Sequence, residues 1–488
     1  MSEATLTAEA AAPARLSEDW LAVVIGLGVF ALGLLSVAGI DALGWVATTS
    51  VWTDPTTALA PVSKAHAGLG GGASLVLAYL ALMIVLSAGA AALGEDVKRF
   101  ALAFTLVFVI ACASWFVGAS ARLAAVTPAE QAKFGLSWSL KLTSEGGFIV
   151  ALIAGLAVAN FFPRFAERLK SAIRPELNIK IAIVILGAFI AVTAAGKLNL
   201  ATSLLLRGVA AIVEAYLIYW PVVYLIARKG FGFSREWSAP LASGISICGV
   251  AAAIATGGAI RARPQVPVLV SSLVVIFAVV EVLILPALAN AFMSHEPLVA
   301  AAWMGLAVKT DGAAVAAGGI TQSLIQASAA ADGINYQPGW MLSVTATVKV
   351  FIDVFIGVWA FILATIWTNH INPRADKAKA IEIWRRFPKF ILGFVATFAI
   401  ALVLALATPA GTSGKLAAAI GEANVLRVIF FTLTFFAIGV MSNFRKLWED
   451  GLGKLAAVYV VSLFGFVIWV GFVISWLFFA GIRPPLAS

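Results

Sequence analysis

The chain has 488 residues, of which 62% are hydrophobic and 12% are charged, and its formal net charge is +9. Soluble domains are about half apolar and about a quarter charged, so this composition excludes a soluble globular protein and indicates a polytopic helical membrane protein. Its basic residues gather in a few short loops, which the positive-inside rule explains without any nucleic-acid partner.

Residues 1–19 are alanine-rich and acidic and lack the basic start of a signal peptide, so we predict a disordered cytoplasmic tail. Apolar blocks long enough to cross a bilayer core of ~30 Å follow. They predict about thirteen crossings, at 20–40, 73–93, 100–120, 146–163, 180–196, 208–227, 239–260, 266–293, 298–330, 340–368, 390–408, 425–442 and 455–480. We expect 20–145 to be an N-terminal transmembrane extension and 146–482 to be the core.

The basic loops predict the orientation of the chain. They lie at 163–180, 227–236, 370–389 and 443–454, and placing all of them in the cytoplasm agrees with one crossing per block. The N-terminus is then cytoplasmic. The cysteines, Cys112 and Cys248, lie inside apolar blocks and indicate no disulfide framework.

Two apolar blocks, 239–260 and 298–330, are rich in Ala, Gly, Ser and Thr. Small residues allow helices to pack closely. They also suit broken helices, whose freed main-chain groups line the substrate sites of many secondary transporters. Both explanations remain open at this point. The bulkier blocks at 390–408 and 455–480 are typical of lipid-facing or scaffold helices.

Charged side chains inside the apolar blocks are few, and each is costly in a bilayer unless it is paired or hydrated, so each is a candidate functional residue. Lys349 and Asp353 are four residues apart on one helix face and are predicted to neutralise each other. Lys309 either binds an anion beside a helix N-terminus or contacts Asp311. Glu281 is expected to pair with a basic residue across the bundle. Glu214 completes the set.

Motifs for enzymes are absent from the sequence. His295 and Glu296 begin an HExxH-like string, but Val299 stands where the second histidine is needed. There is no GxxxxGK[ST] loop for ATP. We therefore expect no catalytic residues, no metal and no cofactor.

From about residue 146 onward, several segments carry a family resemblance. The most specific are ASGISICGVAAAIATGGAI (242–260) and MGLAVKTDGAAVAAGGI (304–320). They are accompanied by GGFIVALIAGLAVANFFPRF (146–165), VVIFAVVEVLILPAL (274–288), ATVKVFIDV (346–354) and FFAIGVMSNFRKL (435–447). Taken in chain order, these segments resemble those of the YeiH-like bacterial inner-membrane transporters, a family of proposed sulfate exporters. The chain departs from the family where Lys309 and Thr310 replace a His-Glu pair and where Ile352 replaces an arginine.

The resemblance implies an all-α inverted-repeat transporter with broken helices in the bacterial inner membrane. It would export a small anion, sulfate, sulfite or an organosulfonate, by alternating access. The substrate-binding residues would be Gly244, Ser246, Cys248, Gly249, Lys309, Thr310 and Gly312, with Asp311, Lys349, Asp353 and Glu281 as coupling or structural charges.

Alternatives remain open. One is a cation-coupled carrier, with H⁺ or Na⁺ bound by Asp311 or Asp353, and another is a passive anion channel. A third is a membrane component that transports nothing. The expected partners are the anion, the coupling ion, the lipid bilayer and a second copy of the chain in a homodimer. No nucleic acid is expected.

Overall fold

The computed structural model describes residues 16–125, 128–140, 146–195, 198–263, 265–372, 381, 384, 387–408, 413–443 and 453–487. Residues 1–15 of the predicted tail, and most of the predicted cytoplasmic loops at 370–389 and 443–454, lie outside this description. The described chain is almost entirely helical, which confirms the all-α polytopic prediction.

In the first part of the chain, the long helices are α1 (Glu18–Leu35), α2 (Gly70–Ala92), α3 (Val97–Gly118), α4 (Gly146–Phe161), α5 (Pro163–Leu169) and α6 (Pro175–Ala195). Short helices occur at Ser36–Ala38, Pro55–Thr57, Lys64–Leu69, Ala121–Ala124, Pro128–Lys133 and Lys170–Ala172. Strands β1 (Ala47–Thr49) and β2 (Leu59–Pro61) form an antiparallel pair between α1 and α2.

The middle of the chain contains α7 (Leu198–Gly230), α8 (Arg235–Ser243, continued as a π-helix over Gly244–Cys248), α9 (Gly249–Ala259) and α10 (Gln265–Met293). It continues with α11 (Pro297–Ala307), α12 (Asp311–Ala331) and α13 (Trp340–Ile371). The last helices are α14 (Phe390–Ala407), α15 (Ser413–Met441) and α16 (Gly453–Phe479).

Among the described helices, 11 are long and apolar enough to cross a membrane. The number rises to 12 if the bent pair α4–α5 forms one span. The predicted count of about thirteen therefore stays a prediction. One difference is clear at 298–330, which the sequence predicts as a single crossing. The structure divides this block into α11 and α12, because residues 308–310 are not helical.

The helices form two bundles. The first bundle consists of α1–α6, α14 and α15, and the second of α7–α13 and α16. In the first bundle, α4 and α15 pack through facing glycines. A Cβ at Gly155 would lie 2.3 Å from the carbonyl oxygen of Phe436, and one at Gly439 would lie 2.4 Å from that of Leu152. Only glycine allows this approach.

The N-terminal helix belongs to the first bundle. It begins at Glu18, inside the predicted tail, and Ser17 caps it by accepting a hydrogen bond from the Trp20 N–H at 3.3 Å. Its first turn is tied to α6, because Asp19 pairs with Lys180 at 2.9 Å. Arg174, just before α6, bonds both Glu18 and Glu95.

The helices of the second bundle are irregular. Segments of π-helix occur at Glu214–Tyr219 and Ile226–Gly230 in α7, at Gly244–Cys248 after α8, at Trp367–Ile371 in α13 and at Leu463–Val467 in α16. All of the π-helices in the described residues lie in this bundle. The bundles meet where α10 and α12 contact α15, and where α12 and α13 contact α6.

Candidate functional site

The first small-residue segment contains a helix break at Gly249. Gly249 has φ +51° and ψ −110°, a backbone conformation that side chains with a Cβ rarely adopt. A Cβ there would also lie 2.7 Å from Val274 Cγ1 and 2.9 Å from Thr310 Cγ2. The glycine is therefore needed both for the turn and for the approach of the second break.

The second small-residue segment is broken between α11 and α12. Val308 and Thr310 are extended, and α12 starts at Asp311. The Thr310 hydroxyl caps α12 by accepting a hydrogen bond from the Ala313 N–H at 3.2 Å. Both small-residue segments thus contain breaks, so close helix packing alone does not account for them.

The two breaks are joined by direct hydrogen bonds. The Cys248 thiol donates to Asp311 Oδ1 at 3.0 Å. The Lys349 amine, from α13, donates to the main-chain carbonyls of Ile247 at 2.8 Å and of Lys309 at 2.9 Å, one from each broken helix. This ammonium satisfies carbonyl groups that the breaks release, at helix ends where positive charge is favourable.

The Lys349 ammonium is faced by two carboxylates, Asp353 on its own helix, as the sequence predicts, and Asp311 of α12. The carboxylate within 4 Å of the Lys349 amine is that of Asp311, at 3.8 Å. Asp353 is 1% exposed, and its Oδ1 has no hydrogen-bond partner. The i,i+4 rule places two residues on one helix face, but here a residue from another helix comes closer to the amine.

Cys248, Asp311 and Asp353 form the one group of potential metal ligands found among the described residues, and their ligand atoms lie within 4.8 Å of one another. The neighbouring Lys349 ammonium already supplies positive charge to this cluster. A resident metal ion would compete with it. The arrangement therefore suits a proton or a transient monovalent cation better than a tightly bound divalent metal.

The Lys309 side chain contacts the end of α11 and a ring of α7. Its amine donates to the Leu306 carbonyl, in the last turn of α11, and lies 4.6 Å from the centre of the Tyr219 ring on α7. It thus contacts a helix end and an aromatic ring rather than Ser246, Cys248 or Gly249. Asp311, the other predicted contact of Lys309, instead lies beside Cys248 and Lys349.

Glu281 is buried on α10 and binds neutral donors rather than the basic side chain that the sequence suggests. Its Oε2 accepts from the Lys309 main-chain N–H at 3.0 Å, and its Oε1 accepts from the Tyr459 hydroxyl at 2.9 Å. Tyr459 lies on α16, so the helix predicted as lipid-facing or scaffold at 455–480 reaches the second break through Glu281. Trp303 of α11 adds a second contact, donating to the Ile468 carbonyl at 2.8 Å.

The remaining predicted binding residues lie around the same breaks. Gly244 begins the π-helix and faces α10, where an added Cβ would lie 3.1 Å from Val270 Cγ1. Ser246 is fully buried and its hydroxyl has no hydrogen-bond partner. Gly244, Ser246, Cys248 and Gly249 thus lie together in the buried segment at the first break. The Lys309 amine does not hydrogen-bond to any of them.

A small cavity opens beside the second break, at the interface between the bundles. Its volume is about 10 Å³, which is enough for roughly one water molecule. It is lined by Pro175, Glu176, Ile179, Val275, Ala278, Thr310, Gly312, Thr434 and Ile438. Glu176 was missed by sequence reasoning because it stands within a predicted basic loop. A larger cavity of about 230 Å³, between α6, α7, α13 and α14, has an apolar lining and no charged residue.

The breaks are surrounded by more buried acids than bases. Among the described residues, Glu214, Glu281, Asp311 and Asp353 supply four carboxyl groups, and Lys309 and Lys349 supply two amines. Glu214 is fully buried, and neither of its carboxylate oxygens has a hydrogen-bond partner. If every group were ionised, the excess would be two negative charges.

Comparisons with known proteins agree with a membrane protein. A family model described as "Conserved hypothetical protein 698" matches residues 139–458. A UPF0324 membrane protein of Nitrosomonas europaea is 40% identical over 481 residues, which cover 96% of this chain and 97% of the relative. A UPF0324 membrane protein of Rhodopirellula baltica is 31% identical over 75% of this chain and 61% of its own length.

A third relative, an uncharacterized protein of Archaeoglobus fulgidus, is 48% identical over 30% of this chain and 89% of its own length. No solved structure matches the chain. These similarities support a multi-pass membrane protein and do not specify a substrate.

Proposed function

The chain belongs to the Conserved hypothetical protein 698 family, and from that premise we propose that it is a secondary transporter working by alternating access. The observation that carries this proposal is the meeting of two broken helices, joined by the bond from Cys248 to Asp311 inside the second bundle. Helix breaks at membrane depth expose main-chain groups that only a protein-lined or water-lined site tolerates. Transporters use such breaks to bind substrates and coupling ions.

The two bundles supply the parts that alternating access requires. The second bundle contains both breaks, and the cavity beside Thr310 and Gly312 lies on its contact surface with the first bundle. In the present conformation the volume of this cavity, about 10 Å³, gives room for roughly one water molecule. A larger substrate would enter when the bundles move apart on one side of the membrane or the other. The bacterial inner membrane and a cytoplasmic N-terminus remain part of the proposal.

We propose a small anion as the substrate, with sulfate, sulfite or an organosulfonate as the first choices. Support comes from the N-terminus of α12, which meets the cavity and carries partial positive charge. The Thr310 hydroxyl accepts from Ala313 and keeps its own proton to donate to a ligand. Lys309 is not in this set, because its amine faces Leu306 and Tyr219.

The excess of buried carboxyl groups would repel an anion if all of them were ionised. Two unit charges of the same sign 4 Å apart repel by about 4 kcal/mol at an effective dielectric constant of ~20. An anion in the cavity lined by Glu176 and Thr310, one residue from Asp311, would therefore be favoured only when protons neutralise some of the acids. Anion transport by this site would accordingly be coupled to protons.

A second candidate function is a cation-coupled carrier in which Na⁺ is the driving ion. The cluster of Cys248, Asp311 and Asp353, with the unpartnered Asp353 Oδ1, favours it. A monovalent cation would bind the carboxylate oxygens of Asp311 and Asp353 after displacing the Lys349 ammonium. Dependence of flux on a sodium gradient, lost in Asp353→Asn, would distinguish this carrier from the proton-coupled one.

The test begins with a thermal-shift panel of sulfate, sulfite, thiosulfate, taurine, bicarbonate and chloride on the purified full chain. Anions that raise the unfolding temperature then enter counterflow assays in proteoliposomes. We expect saturable exchange, in which Thr310→Val lowers the rate about tenfold, or about 1.4 kcal/mol in transition-state free energy. Thr310→Ser, which keeps the hydroxyl, is the matched control.

Two results would contradict the proposal. An uncoupled, voltage-driven current without saturation would indicate a channel. No flux of any tested anion, with or without proton or sodium gradients, would indicate a membrane component without transport activity.

A further inference from the structure

Glu214 has surroundings that differ from those of every other buried acid near the breaks. It lies in the π-helix Glu214–Tyr219 of α7, is fully buried, and has no hydrogen-bond partner for either carboxylate oxygen. Segments of π-helix occur frequently at functional sites. An ionised carboxylate in such a place, without donors, costs several kcal/mol.

The hydrogen-bond directions around Glu214 suit a protonated acid. The Tyr219 hydroxyl lies beside the Glu214 carboxyl group, but its proton is already donated to the Val467 carbonyl at 2.8 Å. While the Tyr219 proton stays on the Val467 carbonyl, a protonated Glu214 can donate to a free lone pair of the hydroxyl oxygen, and an ionised Glu214 receives no hydrogen bond from it.

A glycine on α16 closes the site. A Cβ at Gly471 would lie 2.7 Å from the Tyr219 hydroxyl oxygen and 3.5 Å from Glu214 Oε1. The main chain of α16 therefore packs directly against both groups and contributes no charge to them.

The charged group that faces Glu214 is Lys309, whose amine lies over the Tyr219 ring. Lys309 is itself faced by Glu281 of α10 and Lys349 of α13. Its main-chain N–H bonds Glu281, and its carbonyl accepts from Lys349. The main chain of Lys309 thus forms part of the second helix break, while its amine lies at the Glu214 site.

We propose that Glu214 is a proton-binding site that gains and loses one proton during transport, with Lys309 as its counter-charge. This inference rests on the proposed function and names its coupling ion as H⁺. In one state the acid is neutral and donates to the Tyr219 oxygen. In the other its proton has left to water on one side of the membrane, and the carboxylate is balanced by the Lys309 ammonium. Movement of the break shifts this ammonium and so changes proton affinity.

The first test uses the full chain in proteoliposomes and compares two measurements, anion counterflow and accumulation driven by an imposed pH gradient. In Glu214→Gln, which cannot exchange a proton, we expect pH-driven accumulation to fall at least about tenfold while counterflow stays within about twofold of wild type. Glu422→Gln is the matched control, because Glu422 is a buried acid with one unpartnered oxygen in the first bundle. It should change neither measurement.

The second test needs no substrate. Infrared difference spectra of the purified protein, recorded across a pH change, should contain a carboxylic-acid carbonyl band that Glu214→Gln removes and Glu422→Gln retains. The proposal would be overturned if Glu214→Gln accumulated the anion as well as wild type does under a pH gradient. It would also be overturned if the carboxylic-acid band remained in the spectra of Glu214→Gln. Loss of counterflow in Glu214→Gln would also overturn it, by indicating a substrate-binding role. Absence of flux in wild type would refute the transporter proposal, and the infrared band would still decide whether Glu214 binds a proton.

Discussion

The thiol of Cys248 and the carboxylate of Asp311 are hydrogen-bonded at 3.0 Å, across 63 residues of sequence. One belongs to the break after α8 and the other to the first turn of α12. Because both groups are buried, this bond holds the two breaks in a fixed relation away from competing water.

Removing the Cys248 donor should destabilise the protein. In Cys248→Ala the buried Asp311 carboxylate loses a hydrogen bond, which costs about 1–3 kcal/mol. Cys248→Ser keeps a donor and should recover most of this loss. Thermal unfolding in detergent measures the difference. Cys112→Ala, at a buried cysteine of the first bundle, is the control for loss of a thiol. Equal unfolding temperatures for the alanine and serine variants at 248 would show that the bond contributes little.

Lys349 should be more important for stability than any exposed lysine. Lys349→Met removes the ammonium that bonds both breaks and neighbours Asp311, and breaking a buried pair in this way costs about 3–5 kcal/mol. Adding Asp311→Asn should recover part of the loss, because the uncompensated charge is then removed. A double-mutant cycle on unfolding midpoints measures this coupling.

The control for Lys349 is Lys170→Met, at a lysine that pairs with Glu167 on an exposed helix surface. Surface pairs contribute about 0–1 kcal/mol, so this variant should unfold close to wild type. Additive effects of the two buried substitutions would contradict a direct interaction between Lys349 and Asp311.

Gly249→Ala should abolish anion exchange or greatly reduce expression of folded protein. Backbone strain at a positive φ costs of order 1–3 kcal/mol, and the new Cβ would also overlap Val274 Cγ1. Adding Val274→Ala should relieve that overlap but neither the close approach to Thr310 Cγ2 at 2.9 Å nor the strain, so rescue should be partial. Gly421→Ala is the control, because nothing lies within 4 Å of a Cβ there. Full rescue by Val274→Ala would mean that the turn does not require glycine.

Arg174, outside the membrane-spanning helices, should stabilise the first bundle at every ordinary pH. Burial acts to lower the pKa of Arg174, but the carboxylates of Glu95 and Glu18 outweigh it and hold that pKa above its usual value. Stability linked to a raised pKa is fully present below the usual arginine value and is lost only at higher pH. Arg174→Gln should therefore cost roughly 1.5–3 kcal/mol, equally at neutral and mildly alkaline pH.

The control for Arg174 is Arg164→Gln, at an exposed arginine of α5, which should leave the unfolding temperature nearly unchanged. Chemical unfolding followed by tryptophan fluorescence measures both variants. A cost for Arg174→Gln that disappears as the pH rises from neutral to mildly alkaline would contradict a guanidinium that stays charged.

Much of the fold could be predicted because membrane helices require long apolar blocks. The small-residue runs indicated two candidate places for helix breaks but left close packing open as well. The structure contains a break in each run, and glycine at 249 allows a turn that bulkier residues cannot make. The partners at the breaks could not be predicted in the same way. Tyr459 bonds Glu281 from 178 residues away, and nothing in the local sequence of either indicates the other.

Sequence reasoning was least successful where local spacing competes with tertiary packing. Lys349 has Asp353 four residues along its helix, yet Asp311 lies closer to its amine. Lys309 stands next to a helix N-terminus, yet its flexible side chain turns back to Leu306. In each case a long side chain has a choice of partners, and only the three-dimensional packing decides between them.

The π-helices of the second bundle have a consequence for how this chain tolerates changes in length. A hydrogen-bonded turn of π-helix contains one residue more than a turn of α-helix. An extra residue can therefore be accommodated in a π-helical turn without rotating the part of the helix that follows. Deleting one residue from Leu463–Val467 would convert that segment to α-helix and leave the far end of α16 facing its original neighbours. The same deletion within α6, which has no such segment, would turn every later side chain by about 100°.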